Sequence, residues 1–321
     1  MQRCLQLAAN GLGRVRPNPL VGCVVVSEVE SGKWHPEGEL NTLEKKKNVV
    51  KKVESEGYHQ EYGHNHAERN ALLREGDYHG ATLYVNLEPC SHYGKTPPCA
   101  DLIIEKGVKR VVCCNDDPNP LVAGGGFRKL EEAGIEVVRH VLEEEGRELN
   151  RRFFTFMEKQ RPYVILKWAE SADGFMAPAT AGPYWLSTQQ QNRLNHRWRT
   201  EEAAILVGSE TYLQDSPTLT PRHYLGPAPQ PIVLDRRNRL TNVPSHWLHL
   251  CCQTIPEVLH ELYERKLQSV IVEGGRKVLD AFIESGLYDE VRILRSPQTL
   301  GNGLKAPKVP KIVPNRLTII D

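Results

Sequence analysis

The sequence predicts an α/β protein that is divided into two domains. Its 321 residues are enough for two domains of ordinary size, at roughly 100–200 residues each. Short apolar runs typical of buried strands alternate with segments of helical spacing, some of which close on glycine. The same alternation resumes after a charged helical stretch in the middle of the chain. This pattern indicates α/β sheets that contain parallel strands.

The N-terminal part supplies the first candidate strands and helices. The strands are the runs VGCVVV, ATLYVNLE, KRVVCCN and IEVVRH, and the helices are HAERNALLRE, CADLIIEKG and GFRKLEEAG. A charged amphipathic helix over 142–159 follows them. We therefore expect one domain over 1–150, a linker or helix end over 151–160, and a second domain over 161–321.

The C-terminal part repeats this rhythm. Strands are predicted at YVILKWA, AAILVGS, PIVLD, SVIVEGG and EVRIL, and helices at TQQQNRLNHRWRT and RKVLDAFIESG. One segment of the first domain, Ser27–Gly57, breaks the pattern because it contains the charge-dense run EKKKNVVKKVE. Such a run predicts a solvated segment, either disordered or an exposed helix, with a patch for an anionic partner as the alternative.

The bulk composition narrows the classes of function. With 41 basic and 40 acidic residues, the chain has no overall basic excess for binding nucleic acid. The N-terminus lacks the apolar core of a signal peptide, and no run approaches the ~18 apolar residues of a membrane helix. We expect a cytoplasmic protein with reduced thiols and neither a membrane nor a nucleic-acid partner. The pairs Cys113–Cys114 and Cys251–Cys252 continue apolar runs, which predicts buried thiols.

Four residues of the first domain form a set with the chemistry of a metal site. His66 opens a predicted helix, and Glu68 lies in its first turn. Cys90 follows a strand, and Cys99 begins the next helix after two prolines, which favour a first helical turn. Helix N-termini favour thiolate over thiol. One histidine and two cysteines leave the fourth position of tetrahedral zinc open to water, which is typical of a catalytic site.

Glu68 completes this interpretation. A carboxylate beside a metal-activated water can take its proton and return it to a leaving amine. The order His-x-Glu, Pro-Cys, Cys is that of zinc-dependent deaminases, in which the glutamate is the acid/base and not a ligand. Taken singly, such a histidine is typical of a helix cap or the surface, and the cysteines are typical of free or, if secreted, disulfide-bonded thiols. Together they predict zinc.

The spacing of the cysteines points to one family. Deaminases usually have two residues between these cysteines, whereas this chain has eight. The stretches RPNPLVGCVVV, EGYHQEYG, HAERNAL, LYVNLEPCSHYGKTPPCADLII and DPNPLVAGGG resemble the deaminase half of the bifunctional deaminase–reductase family of riboflavin biosynthesis. The resemblance covers residues 1–150 and implies a cytidine-deaminase-like α/β/α fold. Ser27–Ser55 departs from it, since the family has a short hairpin there.

The resemblance also implies the roles of individual residues. Zinc would be held by His66, Cys90 and Cys99, and Glu68 would be the proton shuttle. Residues near the pyrimidine ring or its phosphate would be Asn18, His59, His92 and Lys95. Lys95 is also suited to a phosphate because its loop feeds a helix N-terminus. For Asn18, a turn-forming role between prolines is the alternative.

A second set of motifs lies in the C-terminal part. Gly274–Gly275 separate a predicted strand from a helix, where backbone amides can hold a nucleotide phosphate, or where glycine can simply close the turn. The glycines of VAGGGF follow a long loop, so they do not indicate a Rossmann site. The stretches YVILKWAESADG, WLST, AAILVGSETYLQDSPTLTPR, PIVLD, VEGG and SPQTLGNGLKAP are similar to the reductase half of the same family. That similarity implies a dihydrofolate-reductase-like α/β domain that uses NADPH.

The resemblance also implies roles for individual reductase residues, by their positions in these motifs. The cofactor would be lined by Ala169, Trp185, Thr211, Asp215 and Gly275. The substrate would be lined by Pro183, Arg199, Leu219, Arg222 and Glu273. The guanidinium groups of Arg199 and Arg222 suit a phosphomonoester, although solvated surface arginines are the alternative. Lys167 and Asp173, at the end of the first strand of this domain, are possible catalytic residues. Pro183 departs from the family, which commonly has a small polar residue there.

The resemblance implies two successive reactions on phosphorylated pyrimidines. The first is the zinc-dependent hydrolytic deamination of a diamino-pyrimidinone ribosyl phosphate, and the second is the NADPH-dependent reduction of its ribosyl group to ribityl. We expect a homo-oligomer. One alternative is a deaminase of tRNA or single strands, for which only the run Lys45–Lys52 offers a basic path. The other is a deaminase that carries a non-catalytic reductase-like module.

Overall fold

The computed structural model describes residues 1–30, 49–94, 97–119, 123–180, 184–309 and 316–321. The chain divides into two compact units, Met1–Asn150 and Arg151–Asp321. In the described residues, no helix combines the length and the apolar character that crossing a membrane requires.

The first unit is a mixed sheet with helices on both faces. Its helices are α1 (Gln2–Ala9), α2 (Ala67–Leu72), α3 (Cys99–Glu105), α4 (Gly125–Glu132) and α5 (Glu143–Leu149). Its strands are β1 (Gly22–Glu30), β2 (Val49–Tyr58), β3 (Thr82–Leu87), β4 (Arg110–Asn115) and β5 (Glu136–Val138). The strand order is β2-β1-β3-β4-β5. β1 runs antiparallel to both of its neighbours, while β3, β4 and β5 are parallel.

Side chains that alternate along β1 bury both faces of this sheet. Val24 packs in a cluster with Cys4 and Leu7 of α1. Cys23 and Val25 point the other way, into the core that contains α2, α3 and α4. This period of two is the geometry of a strand, and it explains why the apolar run VGCVVV is continuous. The sheet thus places the end of β3 and the starts of α2 and α3 around one site.

The segment that was expected to be disordered or helical is partly a hairpin. β1 and β2 pair as an antiparallel ladder out to Glu30 and Val49. Because β2 is the edge strand, its lysines can face water while the backbone stays paired, which the charge pattern alone could not reveal. The expectation of a helix is therefore wrong for 49–57, and residues 31–48 lie outside the described part of the chain.

The second unit is built on a parallel sheet. Its helices are α6 (Arg151–Lys159), α7 (Gln189–Glu201), α8 (Ser209–Asp215), α9 (Ile255–Glu264) and α10 (Arg276–Ser285). Its strands are β6 (Tyr163–Glu170), β7 (Phe175–Ala177), β8 (Ala204–Gly208), β9 (Gln230–Leu234), β10 (Leu248–Leu250), β11 (Ser269–Val272), β12 (Glu290–Arg295), β13 (Leu304–Lys305) and β14 (Leu317–Ile320). Among the described residues, the main sheet has the order β10-β9-β8-β11-β6-β12-β14, and β13 pairs with β7 separately.

Every strand pair in the main sheet is parallel, and both faces of the sheet are covered. On β6, Leu166 and Trp168 are buried in one cluster with Phe282 of α10. Ile165, which directly precedes Leu166, packs with Trp198 of α7 on the other face. Burial on both faces is the reason why the strands of this unit are continuous apolar runs rather than alternating ones. The α/β fold class is confirmed.

Two sequence predictions are corrected here. The helix predicted over 142–159 is two helices, because the Asn150 side chain at the break bonds elsewhere. Its Oδ1 accepts from the amide of Leu20 at 2.7 Å, and its Nδ2 donates to the carbonyl of Leu20 at 2.9 Å. Cys251 was expected to be buried but is exposed, since β10 ends one residue before it.

Candidate functional site

Three predicted ligands of the first unit converge on one point. The Nδ1 atom of His66 lies 3.6 Å from Sγ of Cys90 and 3.4 Å from Sγ of Cys99. All three atoms lie within 4.8 Å of one another. A tetrahedral zinc ion with bonds of about 2.3 Å to sulfur and about 2.0 Å to nitrogen needs nitrogen–sulfur separations near ~3.5 Å. The donor set and its spacing therefore fit zinc.

Each ligand is placed by the end of a regular element. His66 is the N-cap of α2, with extended backbone at φ −69° and ψ 165°. Cys99 is the first residue of α3 and follows Pro98. Cys90 follows β3, and its carbonyl accepts a hydrogen bond from the amide of Ala100 at 3.1 Å. The amide of Cys99 also donates to Sγ of Cys90 at 3.4 Å, so the start of α3 holds both sulfurs.

The surroundings of Cys90 favour its thiolate form. A hydrogen bond from the Cys99 side chain lowers the pKa of Cys90 to about 4, against the effect of burial. The same bond raises the pKa of Cys99, and burial raises it further. The hydrogen bond to Cys90 raises the pKa of His66. Zinc binds the thiolate form of cysteine, so the surroundings of Cys90 suit a metal ligand.

Glu68 is buried beside the ligands and is 3% exposed. Burial raises its pKa to about 7, although the neighbouring His66 acts in the opposite direction. A carboxyl group with a pKa near neutrality can both take up and release a proton during one reaction cycle.

A hydrogen-bonded pair fixes the tautomer of a histidine next to these ligands. His59 lies with its ring centroid 5.6 Å from that of His66. Its Nδ1 lies 2.9 Å from the carbonyl of Asn65, which can only accept, so Nδ1 carries the proton. The Nε2 atom of His59 therefore accepts from Nδ2 of Asn18 at 3.1 Å. Burial lowers the pKa of His59, which keeps the ring neutral.

Of the other two residues of this predicted set, only His92 lies in the described part of the chain. His92 is exposed in the loop between Cys90 and Cys99 and has no hydrogen bond among the described side chains. Lys95 lies outside the described residues. The sequence prediction for these two positions stays a prediction.

Sequence reasoning missed a buried carboxylate that supports the site. Glu88, 4% exposed, accepts hydrogen bonds from the amides of Asp117, Gly124, Gly126 and Phe127 at 3.0–3.4 Å. It satisfies the first amides of α4, whose N-cap is a glycine without a side chain. The signal was present in the sequence. The three glycines at the start of α4 have no side chain that could accept from its first amides, so another residue has to supply the acceptor.

The second unit gathers two of its predicted residues, Arg199 and Lys167, around the carboxylate of a third, Glu273. Glu273 accepts from Arg199 through Nη2 at 2.7 Å and through Nε at 3.2 Å. The Nζ atom of Lys167 lies 3.9 Å from Oε2 of Glu273. Burial acts to raise the pKa of Glu273, but the two cations lower it to about 2. Burial lowers the pKa of Lys167. The guanidinium group of Arg199 is thus paired with Glu273, whereas the sequence suggested that it binds a phosphate.

Two further predicted substrate residues lie on the loop next to Arg199. The Nη1 atom of Arg199 donates to the carbonyl of Thr220 at 3.4 Å. Leu219 directly precedes Thr220 and is buried, with a positive φ of 55°. Arg222 is exposed, and its amide donates to the same carbonyl at 3.0 Å. Pro183 lies outside the described residues.

The predicted cofactor residues include a turn that suits a phosphate. Gly275 is the N-cap of α10 with a φ of 64°. The positive φ favours glycine at this position, and a Cβ atom there would make a tight contact of 3.1 Å with Oγ1 of Thr211. The amides at the start of α10 fit a nucleotide phosphate. Asp215 ends α8 and is exposed, Ala169 is half-buried on β6, and Trp185 is 73% exposed.

Asp173 does not stand free as a catalytic acid would. Its Oδ1 accepts from the hydroxyl of Ser171 at 2.6 Å, and its Oδ2 accepts from the amide of Gly301 at 2.6 Å. The amide of Leu300 also donates to it. The hydrogen bond from Ser171, helped by the loop amides, lowers the pKa of Asp173 to about 2.

Comparisons with known proteins identify the family to which each unit is similar. Residues 1–115 match the cytidine and deoxycytidylate deaminase zinc-binding region, and residues 162–313 match the RibD C-terminal domain. The riboflavin biosynthesis protein RibD of Aquifex aeolicus is 37% identical over 334 residues, covering 95% of this chain and 88% of the relative. RibD of Escherichia coli is 34% identical over 347 residues, covering 94% and 88%.

Solved structures extend this similarity to the fold. A diaminohydroxyphosphoribosylaminopyrimidine deaminase/5-amino-6-(5-phosphoribosylamino)uracil reductase from Thermotoga maritima matches with a TM-score of 0.80 and 36% identity, covering 95% of this chain and 88% of that one. RibD of Acinetobacter baumannii matches with a TM-score of 0.81 and 33% identity, with the same coverage. Because these relatives match nearly the whole chain, it belongs to the RibD family of bifunctional riboflavin biosynthesis enzymes, which join a zinc-dependent deaminase to an NADPH-dependent reductase.

Proposed function

We propose that the first unit deaminates 2,5-diamino-6-ribosylamino-4(3H)-pyrimidinone 5′-phosphate by hydrolysis, and that the second unit reduces the ribosyl group of the product to ribityl with NADPH. The observation that carries this proposal is the convergence of His66, Cys90 and Cys99 beside the buried carboxyl group of Glu68. The similar protein from Thermotoga maritima is named for both a deaminase and a reductase.

The deamination assigns separate tasks to the ligands and to Glu68. His66, Cys90 and Cys99 would hold zinc, which when bound would lower the pKa of water to about 7. Glu68 takes a proton from the attacking water and delivers it to the exocyclic nitrogen. A carbon–oxygen bond forms on the ring, the carbon–nitrogen bond breaks, and ammonia leaves. The pKa of Glu68 near 7 suits both transfers.

The pyrimidine is oriented by a preformed pair. His59 uses Nε2 to accept from Nδ2 of Asn18, which leaves Oδ1 of Asn18 available to accept from an N–H group of the ring. A neutral ring with a fixed tautomer holds that carbonyl in one orientation. His92 and Lys95 complete this assignment, with Lys95 as the cation for the substrate phosphate.

The reductase site places its charges around Glu273. NADPH, when bound, supplies the hydride. Gly275, Thr211, Asp215, Ala169 and Trp185 are assigned to this cofactor. Pro183, Arg199, Leu219, Arg222 and Glu273 are assigned to the substrate. Of the two candidates for moving a proton, Lys167 is favoured, because it is buried next to Glu273 while the oxygens of Asp173 already accept from the loop.

The partners and the compartment are assigned from the same chemistry. We assign small phosphorylated pyrimidines as the only partners besides the cofactors, in a cytoplasmic homo-oligomer. None of the eight cysteines, all of which lie in the described residues, forms a disulfide, which suits a reducing compartment. The charged cluster of Glu273, Arg199 and Lys167 argues against a reductase-like module that has lost its chemistry.

The test of this function is ammonia release from the diamino-pyrimidinone phosphate by the wild type and by Glu68→Ala. We expect Glu68→Ala to abolish release while zinc content stays at one per chain. Glu75→Ala removes an exposed carboxylate a short distance along the chain and should leave the rate unchanged. Release of ammonia from tRNA, but not from the small molecule, would contradict the proposal.

A further inference from the structure

The reductase unit contains a segment that touches two of the elements assigned to NADPH. We call this segment, Ser296–Ala306, the strap. At one end, the side chain of Gln298 accepts a hydrogen bond from the hydroxyl of Tyr184 at 2.7 Å, and Tyr184 directly precedes Trp185. At the other end, the carbonyls of Lys305 and Ala306 accept from Nη1 of Arg276 at 2.6 and 3.0 Å. Arg276 is the first residue of α10 and follows Gly275.

The ends of the strap are held by backbone pairing with the loop after β6. The amide of Ala172 donates to the carbonyl of Gln298 at 2.8 Å, and the amide of Ala306 donates to the carbonyl of Gly174 at 2.9 Å. Between these points, β13 pairs with β7. Such pairs fix the ends of a segment, but they do not determine how the turn between them folds.

Asp173 holds that turn. Its carboxylate accepts from the amide of Leu300 at 3.0 Å and from the amide of Gly301 at 2.6 Å. Its other bond comes from the hydroxyl of the buried Ser171, which directly follows β6 and also accepts from the amide of Phe175 in β7 at 3.0 Å. One carboxylate therefore anchors the middle of the strap to the end of a core strand.

We propose that Asp173 is a positioning residue for the NADPH site, because it fixes the strap that joins Tyr184, beside Trp185, to Arg276, beside Gly275. This role rests on the proposed reductase function. It differs from the catalytic role that the sequence suggested, since the oxygens of Asp173 point at amides and a hydroxyl of its own loops. A residue of this kind acts on cofactor affinity and not on the rate of hydride transfer.

The test compares Asp173→Asn with the wild type in the full-length protein. Asparagine keeps the size of the side chain but offers one acceptor oxygen in place of two, and its amino group would face the strap amides. We expect the KM and the dissociation constant for NADPH to rise about tenfold, with kcat within about twofold, because charge-assisted bonds that hold the strap are lost. The ratio of the variant's NADPH dissociation constant to that of the wild type should be the same at pH 6 and pH 8.

Three controls make the result specific. Ammonia release by the deaminase unit should not change. Glu264→Gln removes an exposed carboxylate at the end of α9 and should leave both NADPH constants at the wild-type values. Tyr184→Phe removes only the hydroxyl that reaches Gln298, and it should weaken NADPH binding in the same direction by a smaller factor. It also tests the strap if Asp173→Asn fails to fold.

The outcomes separate this proposal from the function on which it rests. A fall in kcat of more than tenfold at unchanged KM would show that Asp173 acts in the reaction. Unchanged NADPH constants in both Asp173→Asn and Tyr184→Phe would show that the strap does not set the cofactor site. A wild type that binds NADPH by calorimetry but never oxidises it would contradict the proposed reductase reaction, while the comparison of dissociation constants would remain valid.

Discussion

The Oε1 atom of Glu88 accepts a hydrogen bond from the backbone amide of Gly126 at 3.0 Å, and this contact supports the first site. Glu88 is two residues before Cys90. A Cβ atom on Gly126 would lie 1.9 Å from the carbonyl of Pro89, so the start of α4 lies directly against the segment that carries the ligand. The position of Cys90 therefore depends on a carboxylate that binds neither metal nor substrate.

Replacing Glu88 with glutamine should loosen the zinc site. Four amides donate to the carboxylate, whereas glutamine has one acceptor oxygen and an amino group that would face other donors. We expect a loss of about 3 kcal/mol in the free energy of unfolding and a lower zinc affinity. Urea titration and zinc competition with a chelator measure the two effects. Glu105→Gln, on the exposed end of α3, is the control, and equal results for both variants would contradict the role of Glu88.

Asn18→Ala should impair deamination without loss of the metal. The change removes the donor to Nε2 of His59 and the carbonyl assigned to the pyrimidine ring. We expect kcat/KM for ammonia release to fall about tenfold to a hundredfold, which corresponds to one or two hydrogen bonds. Zinc content, measured by metal analysis, and NADPH oxidation with the deaminated substrate should stay unchanged. A variant that loses zinc would instead assign Asn18 a structural role.

The buried pair of Arg152 and Glu202 predicts how stability depends on pH. Nε of Arg152 lies 2.8 Å from Oε2 of Glu202, and Nη2 lies 2.5 Å from Oε1. Burial acts to raise the pKa of Glu202, but Arg152 lowers it to about 2, below the ordinary value of 4.5. The stabilisation is therefore complete above about pH 5 and decreases as the pH falls from there towards 2.

Glu202→Gln tests this pair. The variant should lose about 3–5 kcal/mol at pH 7, because it leaves the guanidinium of Arg152 buried without its counter-charge. Its unfolding free energy should also fall less steeply than that of the wild type between pH 5 and pH 3. Replacing both partners, as Arg152→Met with Glu202→Leu, should cost less than the single change. If the single variant were as stable as the wild type, the pair would not be a determinant of stability.

Arg199→Lys should impair the reductase selectively. Lysine keeps the charge but cannot form the two bonds that the guanidinium makes with Glu273. We expect kcat/KM for NADPH oxidation to fall about a hundredfold or more, while ammonia release is unchanged. Arg197→Lys, at an exposed position of the same helix, should change the rate less than twofold, because exposed ion pairs contribute ~0–1 kcal/mol. Similar losses in both variants would contradict the role of Arg199.

The sequence predicted the parts of this molecule that depend on local pattern. Apolar runs predicted β1, β3, β4 and β5 of the first sheet and β6, β8, β9, β11 and β12 of the second, but not β2, β10 or β14. The set of His66, Cys90 and Cys99 predicted a zinc site. What it could not predict depends on contacts between distant residues. Asn150 splits a helix because it bonds to Leu20, and Glu88 caps a helix that begins dozens of residues later.

Two interpretations changed for the same physical reason. The sequence offered Asp173 as a possible catalytic residue because it follows a core strand, but its oxygens accept from Ser171 and from two amides of the strap. The lysine-rich segment looked like a disordered or helical surface, yet at Val49 and Lys52 it continues an edge strand, because backbone pairing with β1 outweighs the local charge pattern.

If zinc-dependent deamination by the first unit supplies the substrate of the second, NADPH oxidation with the diamino compound has to depend on zinc. This dependence is tested most directly by following NADPH oxidation with the diamino-pyrimidinone phosphate before and after zinc is removed by a chelator. We expect oxidation with this substrate to stop on zinc removal and to return on re-addition, while oxidation with the already deaminated substrate continues throughout. Unchanged oxidation of NADPH with the diamino compound in the zinc-free protein would contradict the account.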